Sequence, residues 1–340
     1  MTESTEELHP FVRLRCTMGM LVALLSLLLT VHIEGNSEGP HWSYSEIARD
    51  KDGWAKDFPK CGGSHQSPIN IQTKSISVNK HLKPLELNYY SFQEGEFLLV
   101  NNGHTVQCSL PSSMNIIEGL PYLYTAIQLH FHWGGKTEDS HGSEHTINGV
   151  RFDSELHIVH YNSDKYNSYE EAKDKPDGLA VIAVLLKAKD KQTNPHYENF
   201  LSQLSKIQNV GDSVTLDSID VEHMLPPNYS RYYRYNGSLT TPPCTENVIW
   251  TVLAEPVTIS TEQLKKLQNS LLDNDHETLQ NNFREVKPLN QRKVEANFSL
   301  QKRGKESGSA NSSPSRPYRP HSFEEWNLYR GSYVRPSHHY

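Results

Sequence analysis

The sequence has 340 residues, of which 36% are hydrophobic and 21% are charged, so it carries enough apolar material for a large core and lacks the composition of a collagen-like or wholly disordered chain. It contains 33 Lys and Arg against 40 Asp and Glu, which gives a net charge of −7. This acidic balance argues against nucleic acid as the main partner, because phosphate binding requires a basic surface.

The N-terminal segment, residues 1–35, contains an apolar run from Met20 to Val31. The run is shorter than the roughly 20 residues that span a bilayer, and its position is typical of a signal peptide. We therefore expect a secreted, extracellular protein without a membrane span. The alternative, a buried N-terminal helix in a cytosolic protein, stays open, as do the starting methionine and the cleavage site.

Residues 39–300 consist of short alternating or apolar runs separated by Gly, Pro, Asn and Asp, a texture that predicts one large, sheet-dominated domain. Helical patterns are few. One of them begins at Ser260 with Gln263 three residues later, as in a capping box. The predicted strands cover 97–101, 106–110, 126–133, 156–161, 179–187 and 248–254, and the predicted helices cover 197–207 and 260–272.

The C-terminal segment, residues 301–340, holds seven Lys and Arg and three Asp and Glu among Gly, Ser, Asn and Pro. Such a segment cannot bury enough apolar surface to offset the entropy that ordering would cost. It is therefore predicted to be a basic, disordered tail. A short docking turn at Phe323, Trp326 and Tyr329 and a spacer without a partner both stay open, and the sequence does not identify protein partners.

The histidines are concentrated, since six of the 18 fall within 31 residues. His130 and His132 lie at i and i+2 of a predicted strand, so their imidazoles share one face about 7 Å apart and can converge on one ion. A catalytic zinc needs three protein ligands and an open fourth position, and His157 in a later alternating run is the third candidate. Gln128 and Glu155 each precede a candidate ligand by two residues on the same face, where they can orient the imidazoles by hydrogen bonds.

Several motifs carry a resemblance to a known family: QSPINI, NNGHTVQ, QLHFHWG, GSEHT, ELHIVHY and YNGSLTTPPCTENVIW. Together they resemble the alpha-class carbonic anhydrases, in order and at family-like spacing, over about three quarters of the chain from His41 to Phe298. The signal segment and the contexts of Cys61 and Cys244 look most like the secreted, salivary-type members. The resemblance implies an α+β, sheet-dominated fold: a single domain around a large, mostly antiparallel twisted β-sheet with short flanking helices.

The same resemblance implies the reversible hydration of carbon dioxide to bicarbonate and a proton by a zinc-bound hydroxide, in a secreted lyase that serves pH and bicarbonate homeostasis. The implied cofactor is Zn²⁺, and the implied substrates are the small molecules carbon dioxide and bicarbonate. The ligand positions match His130, His132 and His157, and the acceptors that orient these rings match Gln128, Glu155 and the backbone carbonyl of Asn282.

Three further residues match catalytic positions of the family. Thr240 matches a hydroxyl that orients the nucleophile, and Glu144 matches the carboxylate that takes the Thr240 proton, since an ionised carboxylate can only accept. His104 matches the proton shuttle, for which an imidazole with a pKa of about 6.5 is suited. The positions that hold the connecting waters match Tyr44, Asn102 and Gln107. The substrate-binding positions, mostly an apolar wall for carbon dioxide, match Val159, Val181, Leu239, Thr240, Thr241, Val248 and Trp250.

Removal of the signal segment leaves three cysteines, which predicts one disulfide and one free thiol. The resemblance pairs Cys61 with Cys244, and Cys108 on an alternating run is expected to be a buried thiol. Cis peptide bonds are implied at Ser67–Pro68 and Pro242–Pro243. The sequons predict glycosylation at Asn228, Asn297 and Asn311, and Asn236 is not expected to be modified because it adjoins the 238–241 loop.

Two other functional classes compete with this interpretation. A catalytically silent binding module of the same family typically lacks a ligand histidine, whereas all three are present here. A zinc hydrolase of another type is expected to carry His-Glu-x-x-His, but the sequence His157-Ile-Val-His160 lacks the glutamate.

Overall fold

The computed structural model describes residues 41–44, 53–137 and 140–299. The predicted signal segment, the predicted tail and Asn311 lie outside the described residues. None of the helices in the described ranges combines the length and the apolar character that crossing a bilayer requires.

Strands dominate the described chain, and all six predicted strands are present. Their bounds, with those of the shorter strands, are β1 Asn70–Ile71, β2 Ser77–Val78, β3 Glu86–Asn88, β4 Gln93–Asn101, β5 Val106–Ser109, β6 Asn115–Glu118, β7 Tyr124–Trp133, β8 Thr146–Ile147, β9 Val150–Arg151, β10 Ser154–Asn162, β11 Leu179–Lys189, β12 Ser213–Ile219, β13 Tyr232–Gly237, β14 Val248–Leu253, β15 Val257–Ser260 and β16 Glu295–Ala296.

Among the described residues, thirteen of these strands form one sheet and β1, β8 and β9 form a second, small one. The order along the large sheet is β12-β4-β5-β7-β10-β11-β14-β13-β16-β2, with β15 paired to β11 and β3 joined through β6 to β7. The predicted sheet-dominated fold class is confirmed, but the large sheet is mixed. Strand β11 runs parallel to β14 and β15, and β16 runs parallel to β2.

The described α-helices are short: α1 Gly53–Asp57, α2 Tyr169–Ala172, α3 Pro195–Leu201 and α4 Thr261–Ser270. Helix α4 begins with the predicted capping box, in which Ser260 Oγ accepts from the Gln263 N–H at 3.1 Å and Gln263 Oε1 accepts from the Ser260 N–H at 3.0 Å. The helix predicted over 197–207 is divided, because α3 ends at Leu201 and is followed by a separate 3-10 turn, Leu204–Lys206.

The central strands β7, β10 and β11 are buried on both faces of the sheet, which explains why β11 is an almost continuous apolar run. In β7, Leu129, Phe131 and Trp133 belong to the larger apolar core. The intervening His130 and His132 therefore face the other side of the sheet, where a second apolar cluster packs.

A disulfide joins Cys61 to Cys244, as the family resemblance predicted, with a Cα–Cα distance of 4.9 Å. It connects the 3-10 turn Pro59–Gly62 to the loop between β13 and β14, across a sequence separation of 183. Cys108 is buried and free, and burial raises the pKa of its thiol to about 12. Both predicted cis peptide bonds, Ser67–Pro68 and Pro242–Pro243, are present.

We expect the double variant Cys61→Ser, Cys244→Ser to lose about 2–5 kcal/mol in the free energy of unfolding, because the crosslink restricts a long loop of the unfolded chain. Urea unfolding measures the loss. Cys108→Ala removes a thiol without removing a crosslink, and as the matched control it should lose only about 1 kcal/mol. A double variant no less stable than this control would contradict the prediction.

His160 on β10 is fully buried. Its Nδ1–H donates to the Ala180 carbonyl at 3.2 Å, and its Nε2 is hydrogen-bonded to the Tyr90 hydroxyl. These partners suit a neutral ring, and burial lowers the pKa of His160 to about 4.

His160 should therefore make the fold less stable in acid. The unfolded chain binds a proton here below a pKa of about 6.5, whereas the folded chain resists protonation down to about 4. The contribution of His160 to the free energy of unfolding is fully present above the unfolded pKa of about 6.5. It falls by up to about 3 kcal/mol as the pH drops from 6.5 toward 4. Urea unfolding at several pH values should give a flatter pH dependence for His160→Gln than for the unmodified chain, and equal slopes would rule out this role.

Candidate metal centre and active-site cleft

Three histidines converge where β7 and β10 lie side by side. In the antiparallel register of these strands, His130 is opposite His157 and His132 is opposite Glu155. His130 Nε2 lies 3.1 Å from His132 Nε2, which lies 3.0 Å from His157 Nδ1. The structure thus brings together the three residues that the sequence suggested as metal ligands.

The outer nitrogen of each ring is held by an oxygen atom. The pairs are His130 Nδ1 with Gln128 Oε1 at 2.8 Å, His132 Nδ1 with the Asn282 carbonyl at 2.7 Å, and His157 Nε2 with Glu155 Oε1 at 2.7 Å. Carbonyl and carboxylate oxygens only accept, so the outer nitrogen of each ring carries the proton. The nitrogen that faces the other two rings is left with a lone pair.

The three facing nitrogens fit a metal cation. Their lone pairs repel one another at separations of 3.0–3.1 Å, and none of them carries a proton that could bridge the gap. Burial lowers the pKa of His130 and His132, which keeps both rings in the neutral form that binds metals. Three imidazole nitrogens are also a donor set of catalytic zinc sites, so the residues present suit Zn²⁺.

Glu155 links this centre to a histidine to which the sequence assigned no role. Its Oε1 accepts from His157 and, at 2.7 Å, from His145 Nδ1. Burial acts to raise the pKa of Glu155, but its interactions with His145 and His157 outweigh burial and hold that pKa well below its usual range. His145 Nε2 is hydrogen-bonded to the Tyr235 hydroxyl at 2.6 Å, which donates to Ser67 Oγ at 2.9 Å. The only sequence signal for His145 is its place in the GSEHT motif.

Glu144 lies beside the facing nitrogens and is fully buried. Its Oε1 accepts from the Arg284 N–H at 2.9 Å, whereas its Oε2 has no hydrogen-bond partner and lies 3.5 Å from His132 Nε2. The hydrogen bond expected from Thr240 to Glu144 is not among those that the described residues form. An unpartnered buried carboxylate oxygen is costly unless a positive charge or a donor lies near it, so Glu144 favours a cation at this point.

A cleft of about 420 Å³ opens onto His130 and His157. Lys173 and Asp174 also line this cleft, and nothing in their sequence context indicates it. Val248, a further predicted substrate-binding residue, is not among the residues that line the cleft and packs in the second apolar cluster. The predicted substrate-binding residues that do line the cleft are Val159, Val181, Leu239, Thr240, Thr241 and Trp250.

His104 lies in a second cleft, together with Tyr44. Its ring stacks on Trp42, with ring centroids 3.8 Å apart and planes 9° apart. The pKa of His104 is lowered to about 4, mainly because burial removes its ring from water. Gln107 lines the metal cleft instead, and it accepts a hydrogen bond from Asn102 Nδ2 at 3.5 Å. The residues predicted to form one proton path are thus divided between two clefts.

Asn282 connects the metal centre to the segment that holds His104. Its carbonyl accepts from His132, its Oδ1 accepts from the Trp133 N–H at 2.7 Å, and its Nδ2 donates to the His104 carbonyl at 3.0 Å. Asn282 is fully buried. One side chain therefore fixes the end of β7 and the backbone of His104 together.

Two of the predicted glycosylation sites are described. Asn228 is exposed, whereas Asn297 is partly buried and its Nδ2 donates to the Ser230 carbonyl at 2.6 Å. A glycan is attached through Nδ2, so modification of Asn297 requires that hydrogen bond to break.

Comparison with known proteins agrees with this geometry. Residues 49–298 match the family model of the eukaryotic-type carbonic anhydrases. The chain is 50% identical over 276 residues to carbonic anhydrase 6 of Canis lupus familiaris (81% of this chain, 86% of that protein) and 50% identical over 282 residues to carbonic anhydrase 6 of Homo sapiens (83% and 90%). It is also 43% identical over 268 residues to carbonic anhydrase 12 of Homo sapiens (77% and 74%). The chain therefore belongs to the eukaryotic-type carbonic anhydrase family and is a carbonate dehydratase, a lyase that hydrates carbon dioxide.

Proposed function

We propose that this enzyme holds one Zn²⁺ ion with His130, His132 and His157 and uses it for the reversible hydration of carbon dioxide to bicarbonate and a proton. The observation that carries the proposal is the convergence of three imidazole lone pairs at separations of 3.0–3.1 Å, each ring being held by an acceptor behind it. The unpartnered Oε2 of Glu144 supports the same conclusion, because it offers negative charge to a cation at that point.

When bound, Zn²⁺ would supply a nucleophile at neutral pH by lowering the pKa of its water to about 7, a value known from carbonic anhydrases themselves. The contribution of the chain is to keep the three rings in the tautomer that presents a lone pair. Gln128, Glu155 and the Asn282 carbonyl perform this task through hydrogen bonds of 2.7–2.8 Å.

Thr240 is assigned to orient the nucleophile. An ionised Glu144 only accepts hydrogen bonds, so Thr240 would donate its proton to Glu144 Oε2 and keep its own oxygen free to accept one from the nucleophile. Two observations support this role: Oε2 has no other partner, and Thr240 lines the same cleft as His130 and His157.

The apolar wall of the cleft is assigned to carbon dioxide, which has no net charge or dipole through which a polar wall could hold it. Val159, Val181, Leu239 and Trp250 provide this wall next to the two ligand histidines. Thr241 lines the same cleft and is assigned to the substrate-binding set. Val248 would support the wall from within the apolar cluster.

His104 is assigned to carry the proton between the cleft and bulk solvent, through waters held by Tyr44, Asn102 and Gln107. A shuttle is most effective when its pKa is near the working pH, whereas the pKa of His104 is about 4 where it stacks on Trp42. Since exposure returns the pKa toward about 6.5, we assign proton uptake to an arrangement in which the ring has left Trp42 and is more exposed.

We also infer that the enzyme is secreted and serves extracellular pH and bicarbonate homeostasis. In this proposal the catalytic domain, 39–300, lies between a signal segment, 1–35, and a basic disordered tail, 301–340. The disulfide of Cys61 and Cys244 supports secretion, because disulfides persist mainly in oxidising compartments.

The metal assignment is tested with His130→Ala. Loss of one donor should abolish zinc retention after dialysis and reduce carbon dioxide hydration by at least about 100-fold, because even partners of metal ligands contribute about 10- to 100-fold. Metal analysis and stopped-flow hydration, with and without a zinc-binding sulfonamide, measure both effects. His141→Ala changes an exposed histidine of the same segment, bonded to Asp153 at 2.7 Å, and should retain zinc and activity. Full activity in a metal-free His130→Ala protein would overturn the mechanism.

The shuttle assignment is tested with His104→Ala. We expect proton transfer to slow by about 100-fold, the lower end of what a positioned acid or base contributes, and to be partly restored by added imidazole. Stopped-flow hydration over a range of imidazole concentrations measures this, with zinc content as a check that the centre is intact. His81→Ala, a change at an exposed histidine, should have neither effect. An unchanged rate without a buffer effect would remove His104 from this role.

A further inference from the structure

We propose that the chain carries a second transition-metal site, formed on its surface by His196, Asp220 and His223. His196 lies near the start of α3, and the other two residues lie in the segment that follows β12, where Glu222–Met224 form a 3-10 turn. One donor atom from each of the three lies within 4.8 Å of the others. The site contains the same kinds of donor as known metal centres, at a position that the catalytic reaction does not use.

Asp220 and His223 are in direct hydrogen-bond contact within this site. His223 Nδ1 lies 2.9 and 2.8 Å from the two carboxylate oxygens of Asp220, and the His223 N–H donates to Asp220 Oδ1 at 3.3 Å. Two metal bonds of about 2.0–2.2 Å at a right angle separate their donor atoms by about 3 Å. A metal ion can therefore replace the proton between His223 Nδ1 and the carboxylate with little movement of either residue.

His196 supplies the third donor. Its ring lies beside that of His223, with centroids 4.8 Å apart and planes 17° apart. The donor atoms lie within 4.8 Å of one another, whereas two donors on one metal ion at a right angle are about 3 Å apart, so the His196 ring must rotate to bring its nitrogen to the ion. The His196 side chain is exposed and free to rotate by this amount, and a shared metal ion would also prevent the repulsion that two protonated rings would suffer.

The backbones that carry these donors are fixed relative to each other. The Tyr197 hydroxyl donates to the Met224 carbonyl at 2.7 Å, and Asn199 Nδ2 donates to the Ser218 carbonyl at 2.8 Å. Tyr197 and Met224 are each adjacent in sequence to a proposed ligand, and both are fully buried. Binding therefore orders only side chains, which keeps its entropic cost low.

The donor set indicates the class of metal. Two imidazoles and one carboxylate suit Zn²⁺, Ni²⁺ and Cu²⁺, whereas Mg²⁺ and Ca²⁺ prefer oxygen donors throughout. Glu222 lines the same surface cleft as both histidines and can add a fourth donor or negative charge. A bound ion would crosslink α3 to the segment after β12 and stabilise the folded state by mass action.

Calorimetric titration with Ni²⁺ tests this site on the full chain, with Zn²⁺ loaded and a sulfonamide bound in the catalytic centre. At a pH of about 8, chosen because the hydrogen bond to Asp220 raises the pKa of His223 above that of a free imidazole, the unmodified enzyme should bind one additional Ni²⁺. The Kd should rise by at least about tenfold in His196→Ala and also in His223→Ala, which remove donors from different elements. His141→Ala is the matched control, because His141 and Asp153 form a similar pair at 2.7 Å but belong to none of the three-donor groups of the described residues. This control should keep the Kd of the unmodified enzyme.

Absence of Ni²⁺ binding, or an unchanged Kd in either of the two variants, overturns the proposal. Binding by His338 or His339 of the C-terminal segment would leave the Kd unchanged in both variants and therefore counts against it. Carbon dioxide hydration before sulfonamide addition establishes that each variant is folded and zinc-loaded. The urea unfolding midpoint gives a second readout. Adding Ni²⁺ should raise this midpoint in the unmodified enzyme and in His141→Ala, but not in His196→Ala or His223→Ala.

Discussion

Repulsion among three imidazole lone pairs is the constraint on which the active site of this enzyme depends. The nitrogens face one another across 3.0–3.1 Å. The ladder between β7 and β10 fixes the backbones that carry these rings, and the acceptor behind each ring favours the tautomer with its lone pair inward. A cation placed between the rings relieves this repulsion without disturbing the sheet. The fold therefore sets up an arrangement that can accept a metal ion, and the buried carboxylate of Glu144 lies beside it.

Two buried residues connect the histidine centre to other parts of the fold, because each is hydrogen-bonded to more than one element. Glu155 holds a ligand ring and His145 at the same time, and His145 continues the hydrogen bonds to Tyr235 on β13. Asn282 holds a ligand ring, the end of β7 and the segment of His104. Buried polar groups of this kind are stable only when their partners are in place, so a change at either residue affects metal binding and local folding together.

Strand alternation in the sequence indicated the three candidate metal ligands and two of their acceptors, since residues at i and i+2 share a face whatever the partner strand is. It could not predict the register that sets His130 opposite His157, because that register depends on which strands become neighbours. The role of His145 was missed for a similar reason. His145 immediately precedes β8, and its partners come from β10 and β13.

The amino-acid sequence was enough to predict a sheet-dominated fold, the histidine face and the family, because periodicity and motif order are local properties of the chain. The tertiary structure was needed to identify the properties that depend on residues distant in the sequence. The pKa of His104 is about 4 because burial in the folded chain desolvates its ring, and its immediate neighbours in the sequence give no indication of that shift. The grouping of His196 with Asp220 and His223 likewise exists only because α3 packs against the segment after β12. The residue type fixes which chemical groups a side chain carries, but its solvation and its partners depend on residues far away in the sequence.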